Sequence, residues 1–247
     1  MKGSVQGLKN GQKGQLFDEY PSLLTAAHEL KAPLALVRQL ALSLETDLIA
    51  DPAERAKVLR QITLTTDHAL RLTTDLTRSS RLDDSLFTLE PLNPQQLCEE
   101  VAHELTPLYK AHGRDIRVSS RHRRILAIAN RDLLRRIILT FGDNALHYSP
   151  DNTPVDIYAG RVGGGTTIRI KVRDYGPALP PDIWRRLQYT VGTDKQALHS
   201  RPQSSGLGLL IAGRFAGAMQ GQIGAVRHRD GASFYVDLLA STQLSLL

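Results

Sequence analysis

The chain has 247 residues, 41% of them hydrophobic and 23% charged, which is enough for two packed modules and more than one small domain requires. Its single cysteine, Cys98, excludes an internal disulfide and a cysteine-based zinc cluster, and suits a reducing cytoplasm. The formal charge of +6 is spread out except at Arg121-His122-Arg123-Arg124, and no stretch reaches the roughly 18 apolar residues of a membrane helix, so neither nucleic-acid binding nor a membrane segment is read here.

Residues 1–20 are polar and glycine-rich where a signal peptide would need an apolar core, and they read as a leader or linker. From Leu23 the apolar positions Leu23, Ala27, Leu30, Leu34, Val37, Ala41, Leu44 and Leu48 alternate spacings of four and three, a heptad seam. After a break at Asp51-Pro52, the series Val58, Ile62, Thr65, Ala69, Leu72 and Leu76 repeats the pattern. Residues 21–88 are therefore predicted to be an all-α helical hairpin. Two helices bury little apolar surface by themselves, so a second copy completing a dimeric four-helix bundle is the economical arrangement.

Leu89 to Pro94 holds two prolines and marks a domain boundary. Residues 89–247 then mix periodicities: a helix over 95–111, strands at 116–119 and 125–129, and an amphipathic helix from Arg131 to His147. A hairpin of 155–158 with 167–172 around Gly163-Gly164-Gly165 follows, then helices at 181–189 and 206–218 and closing strands at 222–226 and 233–238. This pattern predicts an α+β sandwich with helices on one sheet face.

Four segments carry chemistry. His28-Glu29-Leu30-Lys31-Ala32-Pro33-Leu34 puts a histidine beside the buried line of the first helix, with Pro33 removing a backbone hydrogen bond just after it. Asp143-Asn144-Ala145-Leu146-His147-Tyr148 ends the amphipathic helix, Asp174-Tyr175-Gly176-Pro177-Ala178 follows a strand, and Gly206-Leu207-Gly208-Leu209 opens a helix. The side-chain oxygen of Asn144 suits Mg²⁺, although Asn144 also fits a helix C-cap. Amides at the start of a helix suit phosphate, which points to Gly206, Leu207 and Gly208, and the polar run Thr193 to Ser205 before them reads by itself as a loop.

In this order and spacing the four segments resemble the H box, N box and two glycine boxes of the sensor histidine kinases of two-component systems, across residues 21 to about 240. The resemblance implies a dimerisation and phosphotransfer hairpin followed by a GHKL-type ATP-binding domain, with Thr193 to Ser205 as the lid over ATP. It implies ATP as phosphate donor with Mg²⁺ held by Asn144, a homodimer, and the receiver domain of a response regulator as partner. It assigns His28 as phosphoacceptor and Glu29 as the carboxylate that orients its ring, Asp174 to the adenine amine, Gly176 to close approach of the base, and His147 and Tyr148 to the pocket wall. The location implied is cytoplasmic, alone or as the soluble part of a membrane-anchored sensor.

Four positions depart from the family pattern: Ala32 for Thr, Thr140 for the first Asn of the N box, His147 for Lys, and Ala178 for a Gly. Ala32 implies weak phosphatase activity toward the regulator. The departures at 140, 147 and 178 leave a nucleotide-binding regulatory pseudokinase as the alternative.

Overall fold

The computed structural model describes residues 23–45, 51–80, 82, 87–120, 125–150, 152–178, 181 and 207–242, and of residues 23–26, 28, 29, 80, 147 and 148 it describes the backbone alone. The leader at 1–20, most of the helix read at 181–189, the lid at 193–205 and Gly206 lie outside the described residues.

The hairpin comprises α1 (Leu23–Glu45) and α2 (Pro52–Ser80). Helix α1 continues through Pro33. Helix α2 starts at Pro52, whose fixed φ suits a first helical position, after Asp51 accepts the Ala53 amide at 3.1 Å. It therefore begins a turn and a half before the apolar series does, and it runs on to Ser80, four residues past Leu76, where that series ends. Val58, Ala69 and Leu72 are buried, whereas Leu34, Leu42, Leu59 and Leu70 remain 59%, 42%, 51% and 60% exposed, so part of the apolar surface of the hairpin is uncovered in a single chain.

A short strand that sequence periodicity does not reveal, β1 (Glu90–Leu92), occupies the proline-flanked boundary. Helix α3 (Pro94–Ala111) starts at Asn93, whose side chain accepts the amides of Gln95 and Gln96, with Pro94 at the next position. Its inner face is Leu97, Cys98, Val101, Ala102, Leu105 and Tyr109, all buried at helical spacing. Strand β2 (Ile116–Ser120) and strand β3 (Ala127–Ala129) follow, then α4 (Arg131–Tyr148), capped by Asn130 accepting the Leu133 amide at 3.1 Å. Strands β4 (Val155–Val162) and β5 (Thr167–Arg173) form a hairpin through a 3₁₀ turn at Gly163–Gly165, where φ is positive at all three glycines. Helix α5 (Leu207–Ala218) and strands β6 (Gln222–His228) and β7 (Gly231–Leu239) complete the described chain.

The main sheet has the order β2-β4-β5-β7-β6, with β2 parallel to β4 and the other pairs antiparallel. The two strands read at 116–119 and 125–129 do not pair with each other, because β3 joins β1 in a separate two-stranded ladder. That ladder is tied to the end of the main sheet by the Ser241 amide donating to the Leu126 carbonyl. Ile168, Ile170 and Val172 of β5 and Phe234, Val236 and Leu238 of β7 alternate into the core beneath α3, α4 and α5. The other face carries the intervening polar residues. There Arg169 donates two hydrogen bonds of 2.7 Å to Asp237 and lies 3.7 Å from the ring centre of Tyr235.

Candidate functional site

Helix α4 brings the first group of candidates to its C-terminal turns, and that end is anchored from outside. The Tyr109 hydroxyl donates to the Gly142 carbonyl at 2.8 Å, and Arg114 donates to the Leu146 carbonyl. Burial pushes the Tyr109 hydroxyl well above the ordinary phenol range, and the charges of Asp143 and Asp174 add to the rise. One phenol thus senses the carboxylates of two of the candidate motifs. Gly142 permits the anchor: a β-carbon there would stand 2.5 Å from Cδ1 of Leu105. Neither Tyr109 nor Gly142 belongs to a motif, and only the tight spacing of α3 against α4 reveals them.

Asn144 lies a full turn inside α4, which ends at Tyr148 with the Ser149 amide bonded to the Ala145 carbonyl. The C-cap reading is therefore ruled out, and the amide side chain of Asn144 is available for another purpose. It lines a cleft of about 420 Å³ together with Thr140, Asp143 and Gly208. The opposite wall comes from α2, with His68 and Arg71 among its residues. Arg71 donates to both oxygens of Asp143 at 3.3 Å, and His68 Nδ1 lies 3.3 Å from Asp143 Oδ2. The Nε atom of Arg71 is buried with no hydrogen-bond partner among the described residues. A buried unpaired guanidinium donor beside a cleft is a fit for an anionic ligand.

Gly208 belongs to the first turn of α5, where amides point away from the helix. A β-carbon at this position would come 3.1 Å from the methyl group of Thr140, so the glycine lets α5 sit close against α4. Thr140, which stands in place of an N-box asparagine, donates its hydroxyl to the Arg136 carbonyl at 2.9 Å and presents its methyl to Gly208. Leu207 is fully buried, so its side chain serves the core and only its backbone can serve a ligand.

Asp174 sits just past the end of β5, 2% exposed. Its Oδ1 accepts the amides of Gly176 at 3.0 Å and Ala232 at 3.2 Å, while its own amide donates to the Ala232 carbonyl at 2.9 Å. Arg173 reinforces this junction. It donates to the Asp174 and Ala232 carbonyls and to the Asp230 carboxylate at 2.6 Å, and it stacks 4.5 Å from the Tyr175 ring. The tyrosine hydroxyl in turn donates to Asp156 at 2.6 Å, a bond that raises its pKa. Asp174 and Gly176 are not among the residues lining the cleft at Asn144 and Gly208. The structure thus joins the N box and the second glycine box directly and sets the first glycine box against the β6–β7 turn. For His28, Glu29, His147 and Tyr148 it gives positions in α1 and α4 only, and Gly206 falls outside the described residues.

Residues 129–242 match the family model of the histidine kinase-, DNA gyrase B- and HSP90-like ATPases. Over 228 residues the chain is 32% identical to the sensor protein KdpD of Mycobacterium tuberculosis, covering 89% of this chain and 26% of KdpD. This chain belongs to the sensor histidine kinase family. It spans about a quarter of that curated relative. Among solved structures, full-length ShkA in complex with AMPPNP aligns with a TM-score of 0.61 and 27% identity, over 91% of this chain and 47% of ShkA. Histidine kinase ThkA in complex with response regulator protein TrrA shares the fold, with a TM-score of 0.57 and 16% identity over 88% of this chain and 60% of ThkA. In this chain a helical hairpin precedes the ATPase fold, and among the described residues no helix is long and apolar enough to cross a membrane.

Proposed function

We propose that this histidine kinase chain is an autokinase that moves the ATP γ-phosphate to His28 and from there to an aspartate of a response regulator receiver domain. The observation that carries the reading is the cleft in which Asn144 and Gly208, from two separate motifs, meet the helical hairpin that bears the histidine. In this reading Asp174 accepts the adenine amine and the first amides of α5 take phosphate oxygens. Asn144 offers its oxygen to Mg²⁺, which when bound offsets phosphate charge. Arg71 gains, in a phosphate oxygen, the acceptor that its Nε lacks.

A neutral ring nitrogen of His28 attacks the γ-phosphorus as the bond to the β-phosphate oxygen breaks, and ADP leaves. Glu29 accepts a hydrogen bond from the other ring nitrogen and so selects the reactive tautomer. His147 and Tyr148 complete the pocket wall, and Gly206 adds a phosphate-binding amide. The bundle is a homodimer in which a second copy covers the exposed leucines Leu34, Leu42, Leu59 and Leu70. The complex of ThkA with response regulator protein TrrA supports a receiver domain as partner.

The test is incubation of the purified chain with Mg²⁺ and γ-labelled ATP. Label that is lost in acid, kept in base and absent from His28→Gln is the expected result. ATP binding without any label on the protein would turn the reading into a nucleotide-binding regulator.

A further inference from the structure

Helices α2 and α4 meet along two stripes of alternating charge. On α2 the stripe is His68, Arg71, Asp75 and Arg78, and on α4 it is Asp132, Arg136 and Asp143, each series spaced to lie on one helix face. Arg78 pairs with Asp132 at 3.2 Å, Asp75 with Arg136, and Arg71 and His68 with Asp143 at 3.3 Å. As the number rises on one helix it falls on the other, so the helices run antiparallel.

The alternation fixes register. A slip of one turn in one direction sets Arg78 against Arg136 and leaves Asp75 facing Leu139 and Thr140, without a partner. A slip the other way sets Asp75 against Asp132 and Arg71 against Arg136. Like charges meet in both cases, so only the observed alignment is free of repulsion. The central pair is the best placed to discriminate, because the side chains of Arg136 and Asp75 are only 20% and 12% exposed and are poorly screened by salt. Burial also pushes the Arg136 guanidinium below its ordinary pKa.

The same register sets a height along the hairpin. The short connection from Glu45 to Pro52 makes α1 and α2 antiparallel neighbours, so the backbone of residue 28 lies level with about residue 69. That is the level at which His68 and Arg71 hold Asp143, next to Asn144. Helix α5, which begins at the cleft, touches both α1 and α2 there.

We infer that Asp75 and Arg136 are positioning residues for the autokinase reaction: their ion pair, as the centre of a charge zipper, aligns the ATP-binding domain so that its cleft faces the hairpin at the height of His28. The inference rests on the autokinase reading above. It adds what holds the two domains in reacting register.

The experiment uses the full chain and compares wild type with Asp75→Arg, Arg136→Asp and the exchanged double variant. Initial labelling rates at saturating Mg²⁺-ATP are read beside nucleotide Kd and the radius of gyration from solution scattering. Each single reversal is expected to slow labelling by about tenfold or more, since an ångström of misplacement costs of order a hundredfold. Kd should change by less than the labelling rate does, because Asp75 and Arg136 are assigned to the register of the two domains and not to a contact with the nucleotide. The radius of gyration should rise in both singles. The double exchange should recover most of the rate and the compact radius. Singles that label at the wild-type rate or faster overturn the inference, as does an exchange no better than its parents. Should a single variant fail to fold, Arg78→Asp with Asp132→Arg gives the same comparison at the exposed end of the zipper, with a smaller loss expected. A wild type that takes no label on His28 removes the autokinase reading itself, a result distinct from labelled wild type with unaffected variants.

Discussion

Gly231 offers the sharpest test of how the proposed adenine side of the site is built. It opens β7 with φ +124°, in the region that favours glycine, and it packs against Asp174. A β-carbon there would lie 2.7 Å from Asp174 Oδ1 and 2.8 Å from an Arg173 guanidinium nitrogen, and closer still to the Asp174 carbonyl oxygen. These neighbours cannot yield separately. Asp174 is tied to Gly176 and Ala232 by backbone amides, and Arg173 to Asp230. Gly231→Ala therefore combines overpacking of about 1–3 kcal/mol with a positive-φ cost of about 1–2 kcal/mol. At about 2–4 °C per kcal/mol for a chain of this size, Tm should fall by roughly 5–15 °C. The carboxylate must also shift, so ATP affinity should drop by about tenfold, the effect of losing about one net hydrogen bond. Gly164→Ala is the control, since Gly164 has φ +70° but nothing within 4 Å of a β-carbon. It should lower Tm by only a few degrees, about 1–2 kcal/mol of backbone strain, and leave ATP affinity as it was. Thermal denaturation and fluorescent-nucleotide titration read both effects. A Gly231→Ala protein that matches the Gly164→Ala control in both would refute the packing argument.

Three further outcomes follow from other positions. Asn130→Ala removes the α4 cap and the bond from Asn130 to the Thr88 carbonyl, and should cost about 1–2 kcal/mol in urea denaturation while labelling per folded molecule stays at the wild-type level. Burial, with the Glu99 charge adding, pushes the Cys98 thiol from 9.0 up to about 12; the folded state therefore holds the thiol proton more tightly. The stability this contributes is complete below about pH 9 and is lost as pH rises toward 12, so wild type should weaken relative to Cys98→Ala across that window, and native protein at pH 8 should resist thiol reagents. Rapid modification of the native thiol would contradict this. Ala32 is exposed on α1, four residues beyond His28, and Ala32→Thr should raise phosphate release from a phosphorylated receiver domain; equal release from both proteins would refute the expectation that Ala32 weakens phosphatase activity.

The parts of this fold legible in the sequence are those dictated by one periodic pattern within one element. The β5 run Thr167–Arg173 alternates strictly, and the inner face of α3 repeats at three and four, so both elements can be read without knowing their neighbours. Strand β1 could not be read this way. Three residues with a proline have no period, and Glu90–Leu92 is a strand only because β3 pairs with it. The last turn of α2 is of the same kind: the apolar series stops at Leu76, and what Arg78 does beyond it is visible only in its pairing with Asp132 of α4.

The site divides along the same line. Asn144, Asp174 and Gly208 stand in short motifs whose chemistry can be argued from residue type; the structure sets Asn144 and Gly208 on one cleft and Asp174 against the β6–β7 turn. Tyr109, Arg114, Arg173 and Gly231 carry no such signature, because what they do is hold carbonyls and a carboxylate of distant segments. Their contribution exists only once α3 lies against α4 and the β6–β7 turn lies against the end of β5. A motif search finds the groups proposed to meet the nucleotide. The groups that decide where those meet it are distributed through the packing, and substitutions there should alter positioning while every motif stays intact.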